Sequence, residues 1–245
     1  MAWFAAKCPV SAKARVWTED SLQWLRREFG DGALNGDVLL PESIFPPASY
    51  GGTEADLHAA LPRLCTRMGV PIEAVHIELS DDPDLPELDP RVPIASQFSG
   101  AAGHFQPRGD VFIVAIRRRQ LRHPVALAAT LAHELAHVRL LGERRVTPDR
   151  NDHEQLTDLA TVFFGLGVCT ANAAFDYSQS QFGWRTSQLG YLGEALFGYA
   201  LAYYAYLRGE DSPSWARALD TNPRTYMRKG LRFLRASPHS VETSP

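Results

Sequence analysis

Between Pro124 and Leu141 nearly every position is apolar or alanine. Leu127, Leu131, Leu135 and Val138 recur at helical spacing, and alanines fill much of the remaining surface. The pattern predicts a helix buried nearly all round. Pro124 suits its first turn and Gly142 the position just past its end. Upstream, residues 18–29 carry Leu22, Leu25 and Phe29 on one face, with Thr18 placed to cap a short helix. Pro and Gly dominate from Gly30 to Gly52 and predict an irregular segment. A further helix follows: Thr53 caps it, Leu57, Leu61, Leu64 and Met68 form its stripe, and Gly69 ends it. Pro62 is expected to kink or split it.

Strands are predicted where the period falls to two. "AVHIEL" (74–79) alternates and is rich in branched residues. A Pro/Asp-rich loop spans Asp81 to Pro93. "IASQFSG" leading into "AAGHF", and then "DVFIVAI", read as two more strands joined through "QPRG", which favours an antiparallel hairpin. From Pro124 onward the pattern is helical. The expected fold class is α+β: a small mixed sheet with an antiparallel hairpin packed on the Pro124–Leu141 helix, then a mostly helical C-terminal half. The 245 residues fit a single domain, with an α/β part over 1–123 and a helical part over 124–245.

Composition narrows the function. The hydrophobic share of 45% and the charged share of 22% are those of an ordinary globular chain, and a net charge of −3 gives no field to draw it to nucleic acid or anionic lipid. Cys8, Cys65 and Cys169 are too few and too far apart for a disulfide framework, and suit reduced thiols. The apolar run before Lys7 is too short for a signal-peptide core. The longest apolar stretch, 191–209, contains Glu194 and five tyrosines, a composition closer to a buried helix than a membrane span. A cytoplasmic protein is expected, with neither nucleic acid nor membrane as a partner. No stretch specifies an oligomeric state.

The apolar helix from Pro124 carries three polar exceptions, His133, Glu134 and His137. His133 and His137 are one turn apart on one face, roughly opposite the leucines. Two buried imidazoles side by side are costly without partners, and one shared Zn²⁺ satisfies both. Glu134 lies about 100° further round, where it can border a metal without binding it and serve as base to an activated water. A core helix with two hydrogen-bonded histidines is the plainer alternative. Catalytic zinc sites take three protein ligands, and the next candidates fall in "PDRNDHEQLTDLATVFFGLG". Asp152 suits an N-cap, with Gln155 completing a capping box. A helix should run to about Leu166, with Gly167 past its end and Leu156, Leu159, Phe163 and Leu166 on its core face. Glu154 and Asp158, four apart, share a side of it. Acids in a first helical turn also favour the dipole with no metal involved.

His133-Glu134-Leu135-Ala136-His137, followed by Glu154 and then Asp158, resembles the gluzincin, thermolysin-like branch of HExxH zinc metallopeptidases. The resemblance covers residues 133–158 and the strands before them. It implies a zincin-like fold, Glu154 as third zinc ligand, and Asp158 hydrogen-bonded to His133 outside the metal shell, which would fix the imidazole and raise its basicity. His153 as third ligand, or Asp158 as a direct one, are the rivals. Metzincin spacing is not present after His137. On the substrate side, the small residues Ser99–Gly103 could admit an extended peptide, with His104 beside them. Tyr191 is the candidate for stabilising the oxyanion, ahead of Tyr199, Tyr203 and Tyr204. Glu194 is expected to be paired or to face the cleft, and the basic residues Arg224, Arg228, Lys229, Arg232 and Arg235 to form a solvated face. The expected activity is peptide-bond hydrolysis in a peptide or protein substrate, with zinc as cofactor and Glu134 as general base. The alternatives are a regulatory protease specific for one partner protein and a non-catalytic, zinc-stabilised interaction domain.

Overall fold

The computed structural model describes residues 6–80, 107–108, 111–178 and 192–236. Helix α1 (Ala12–Leu34) starts earlier than its apolar pattern suggests, because Ser11 accepts the Ala14 N–H. Thr18 is buried inside α1, and its hydroxyl donates back to the Ala14 carbonyl at 2.8 Å. At Gly30, φ is +79° and the helical conformation is interrupted, so the regular run ends where the sequence places its end. After the short α2 (Pro41–Ile44), α3 (Glu54–Met68) follows its local signals closely. Thr53 and Asp56 form a reciprocal capping box, and Gly69 closes the helix in the left-handed conformation. Pro62 does not split α3. It lies on the exposed side, where solvent can replace the donor that the His58 carbonyl loses.

The sheet is small and mixed. Strands β1 (Val75–Ser80) and β3 (Val111–Arg117) pair in parallel, with Val75 opposite Phe112, Ile77 opposite Val114 and Leu79 opposite Ile116. These odd-numbered β1 residues and their partners form the core-facing side, and Val114 and Ile116 are fully buried. Antiparallel pairing among the described residues is limited to β2 (Pro107–Arg108), with Pro107 opposite Phe112 and Arg108 opposite Val111. The predicted strand over 94–105 lies outside the described residues. A parallel pair cannot be inferred from alternation, which is the same for either direction.

The second half is helical. α4 (Pro124–His137) continues through a wider π-type turn over Val138–Gly142. Then come α5 (His153–Phe163), α6 (Gly167–Ser178), α7 (Glu194–Leu207) and α8 (Thr221–Ala236). α4 is the central rod: Leu127, Leu131 and Leu135 are fully buried, and α3, α5 and α6 all touch it. Its alanines let these neighbours approach closely. α5 ends at a left-handed Gly165 (φ +73°), not at Gly167, which opens α6. A Cβ at Gly165 would stand 2.7 Å from the Asp37 carbonyl oxygen. Apolar side chains from Leu22 on α1 to Leu234 on α8 join in one buried cluster. No helix among the described residues is long and apolar enough to cross a membrane. Arg228, Lys229, Arg232 and Arg235 face solvent on α8, as expected.

The tyrosines of α7 fasten it to α1. Tyr199 donates to the Glu19 carboxylate, Tyr203 accepts from Gln23 at 3.1 Å, and Tyr204 donates to the Leu34 carbonyl at 3.2 Å. α7 also packs on α8 through glycine. A Cβ at Gly198 would come within 2.4 Å of Tyr226 Cβ and 2.9 Å of the Pro223 carbonyl oxygen. Gly198→Ala should therefore destabilise the protein by about 1–3 kcal/mol, overriding alanine's better helix propensity. Gly32→Ala, where a Cβ meets nothing within 4 Å, should be neutral or stabilising. Thermal melts of the two variants check this, and equal melting temperatures would contradict the close-packing account.

Candidate metal centre

α4 and α5 bring three ligand atoms together. His133 Nε2 is 3.2 Å from Glu154 Oε2, and His137 Nε2 is 3.5 Å from the same oxygen. All three donor atoms of His133, His137 and Glu154 lie within 4.8 Å of one another. A tetrahedron with metal–ligand bonds of about 2.0–2.1 Å has edges of about 3.3 Å, so the two separations to Glu154 suit a shared small cation. The two imidazole rings stand edge to face, with centroids 4.7 Å apart, so their Nε2 atoms converge while the rings avoid stacking.

The far side of each ring is also held. His133 Nδ1 donates to Asp158 Oδ1 at 2.9 Å, and Asp158 Oδ2 accepts the Leu192 N–H at 3.1 Å. The Thr157 hydroxyl donates to the His153 carbonyl at 2.8 Å, so its oxygen is left to accept from His137 Nδ1, 3.4 Å away. With both Nδ1 atoms engaged from behind, each Nε2, once its proton is lost, directs its lone pair to the point between the three side chains. Thr161 donates to the Asp158 carbonyl at 2.7 Å. Glu154, Thr157, Asp158 and Thr161 thus form a polar stripe at helical spacing on a helix that is otherwise apolar.

Electrostatics favour a positive charge here. Burial works against ionising Glu154, yet the hydrogen bonds from His133 and His137 outweigh it and hold the carboxyl below its ordinary range. Burial also works against charging His133, but its bonds to Asp158 and Glu154 prevail and push it up to about 10. A buried and a half-buried carboxylate flanking two imidazoles leave the pocket short of positive charge, which a proton or a metal ion can supply. Two imidazole nitrogens and one carboxylate oxygen are a donor set for zinc. The residues present therefore fit the ion in number, type and spacing.

Glu134 is the one residue from Ala126 to His137 that is not buried. Among the described residues its carboxylate has no hydrogen-bond or ion-pair partner. It stands on the same helix as His133 and His137 and is partly exposed. Asp158 is placed behind His133 and outside the donor cluster, and His153 is also outside it. Tyr199, Tyr203 and Tyr204 are tied to α1 and are not available to a cleft. Glu194 accepts from Asn222 Nδ2 at 3.1 Å. Tyr191, Ser99–Gly103, His104 and the loop over 81–93 lie outside the described residues. Thr157 is a site residue that spacing rules overlooked, and its signal was the polar stripe on α5. Comparison of the chain with protein-family models, with curated proteins and with solved structures returns no match.

Zinc titrations should separate ligands from supports. Glu154→Gln should lose most of its zinc affinity. Asp158→Asn, which can still accept from His133 Nδ1, should bind zinc about ten- to a hundredfold more weakly with the site assembled, and Thr157→Val should show a smaller loss. Zinc retained by Glu154→Gln but stripped from Asp158→Asn would reverse the two assignments.

Proposed function

We propose that the chain is a zincin-like, gluzincin-type zinc metallopeptidase that works inside the cell on a peptide or protein substrate. The observation that carries this is the convergence of His133 Nε2 and His137 Nε2 on a single oxygen of Glu154, with the opposite nitrogen of each ring already engaged. The three unpaired cysteines suit a reducing compartment. His133, His137 and Glu154 would hold the ion. When bound, zinc supplies a Lewis acid that polarises a carbonyl and makes water acidic enough to attack at neutral pH.

The chain's own residues account for the rest. Asp158 and Thr157 set the tautomer and direction of the two imidazoles. Glu134, partly exposed and without a partner among the described residues, takes a proton from the attacking water and returns it to the leaving amine. A carboxylate with no partner can do this without first breaking a hydrogen bond. The buried wall of α4 and α5 keeps bulk water from the ligands, which strengthens each electrostatic contact. Glu134 also argues against a purely structural metal, which needs no open carboxylate beside its ligands.

The test uses the full chain, zinc-loaded, on a mixture of cellular proteins and peptides, with new amino termini counted by mass spectrometry. Wild type should contain about one zinc per chain and generate new termini. Glu134→Gln should keep its zinc and its melting temperature while the cleavage rate falls about 10²- to 10⁴-fold. Cleavage confined to one protein would define a regulatory protease. Cleavage by Glu134→Gln at the wild-type rate would refute the mechanism. A zinc-loaded wild type that cleaves nothing, and that melts once zinc is removed, would make the metal structural.

A further inference from the structure

The two oxygens of Glu154 have different partners. Oε2 faces His133 and His137, while Oε1 lies 3.1 Å from His153 Nε2. His153 is held from behind: its Nδ1 is 2.8 Å from the Arg150 carbonyl oxygen, and its own carbonyl accepts from Thr157. Both ring nitrogens of His153 thus lie within hydrogen-bond distance of an oxygen. The turn that carries it is anchored in turn. Arg150 meets Asp152 through Nε and Nη2, at 2.5 and 3.0 Å, and Trp17 on α1 donates from Nε1 to Asp152 Oδ2 at 2.7 Å. Asp152, expected to cap α5, makes no side-chain cap bond because Arg150 and Trp17 occupy its carboxylate.

A carboxylate can bind a metal through one oxygen or through both. Binding through both would fill the position that a catalytic site keeps for water or substrate. We infer that His153 is a positioning residue that engages Oε1 so that Glu154 offers the metal Oε2 alone, and that the Trp17–Asp152–Arg150 clamp holds His153 in that place. The inference deepens the zinc reading proposed above and rests on it. It assigns a role to four residues that neither bind the ion nor touch a substrate. It also explains why an indole on α1, far away in sequence, is hydrogen-bonded to the residue two before a ligand.

Two substitutions divide the contacts of His153. His153→Gln can place an amide N–H where Nε2 was, and so keep Glu154 Oε1 while losing Arg150. His153→Asn can keep the Arg150 contact but stops short of Glu154. Zinc affinity is measured by competition with a chromophoric chelator. Coordination is read from the visible absorption of the cobalt(II)-loaded proteins, whose bands weaken as the coordination number rises. Stability is taken from melting of the metal-free chains.

His153→Asn should bind zinc about tenfold more weakly and give weakened cobalt bands, while His153→Gln stays near wild type in both. Trp17→Phe should shift both in the direction of His153→Asn, by less. A purely structural role would lower the melting temperatures and leave the cobalt spectra alike, and that result would overturn the inference. So would a His153→Asn variant with wild-type affinity and spectrum. Should His153→Asn fail to fold, Trp17→Phe against wild type decides by the same spectra, and no change there would also overturn it. A wild type that takes up neither zinc nor cobalt would be a separate result, the failure of the metal reading itself.

Discussion

Burying two imidazoles one turn apart on an apolar helix sets a demand that the rest of the helical half meets. Each ring has two nitrogens, and α4 itself provides a partner for neither. The next helix must therefore bring polar groups to a face that would otherwise be apolar. α5 does so with Glu154, Thr157, Asp158 and Thr161, while Leu156, Leu159 and Phe163 keep its other side in the core. The register of α5 against α4 follows from this, because a slide of one residue would withdraw both carboxylates from their imidazoles. Packing and polar satisfaction specify the same arrangement, as they must in a sequence with one stable fold.

The restraints then spread outward. Asp158 reaches Leu192 ahead of α7, and Asp152 reaches Trp17 on α1. α7 and α1 are in turn joined through Tyr199, Tyr203 and Tyr204. The site is thus held at the start and at the middle of α5 by elements remote in sequence. Rigid placement of this kind is what a metal centre needs if its geometry is to persist without the ion.

How far the sequence foretold this depended on how local each signal was. Thr53, Asp56 and Gly69 bound α3 through contacts a few residues long, and its limits were readable. Helical periodicity placed Glu154 and Asp158 on one side of α5, whereas the His133–Asp158 hydrogen bond was expected only from the resemblance to gluzincins. What escaped was decided by distant partners. Asp152 has the chemistry of a cap, but Trp17 and Arg150 claim it. Thr157 looks like any helical threonine until a histidine from another helix meets it. The parallel sense of β1 and β3 leaves no mark on alternation, since either direction buries the same residues. Thr18 lost its capping role to Ser11 because the first turns of α1 are stabilised outside its apolar stripe.

The order of parts along the chain has a consequence for biosynthesis. The three proposed ligands lie on the successive helices α4 and α5, so they leave the ribosome close together. Leu192, whose N–H secures Asp158, follows only after all of α6. If the site takes the proposed ion, a nascent chain can capture it before the outer hydrogen bonds are made. Later synthesis of α7 would then lock a centre already loaded. Metal supply during translation, and not only the affinity of the finished protein, would set how much of the protein carries its ion.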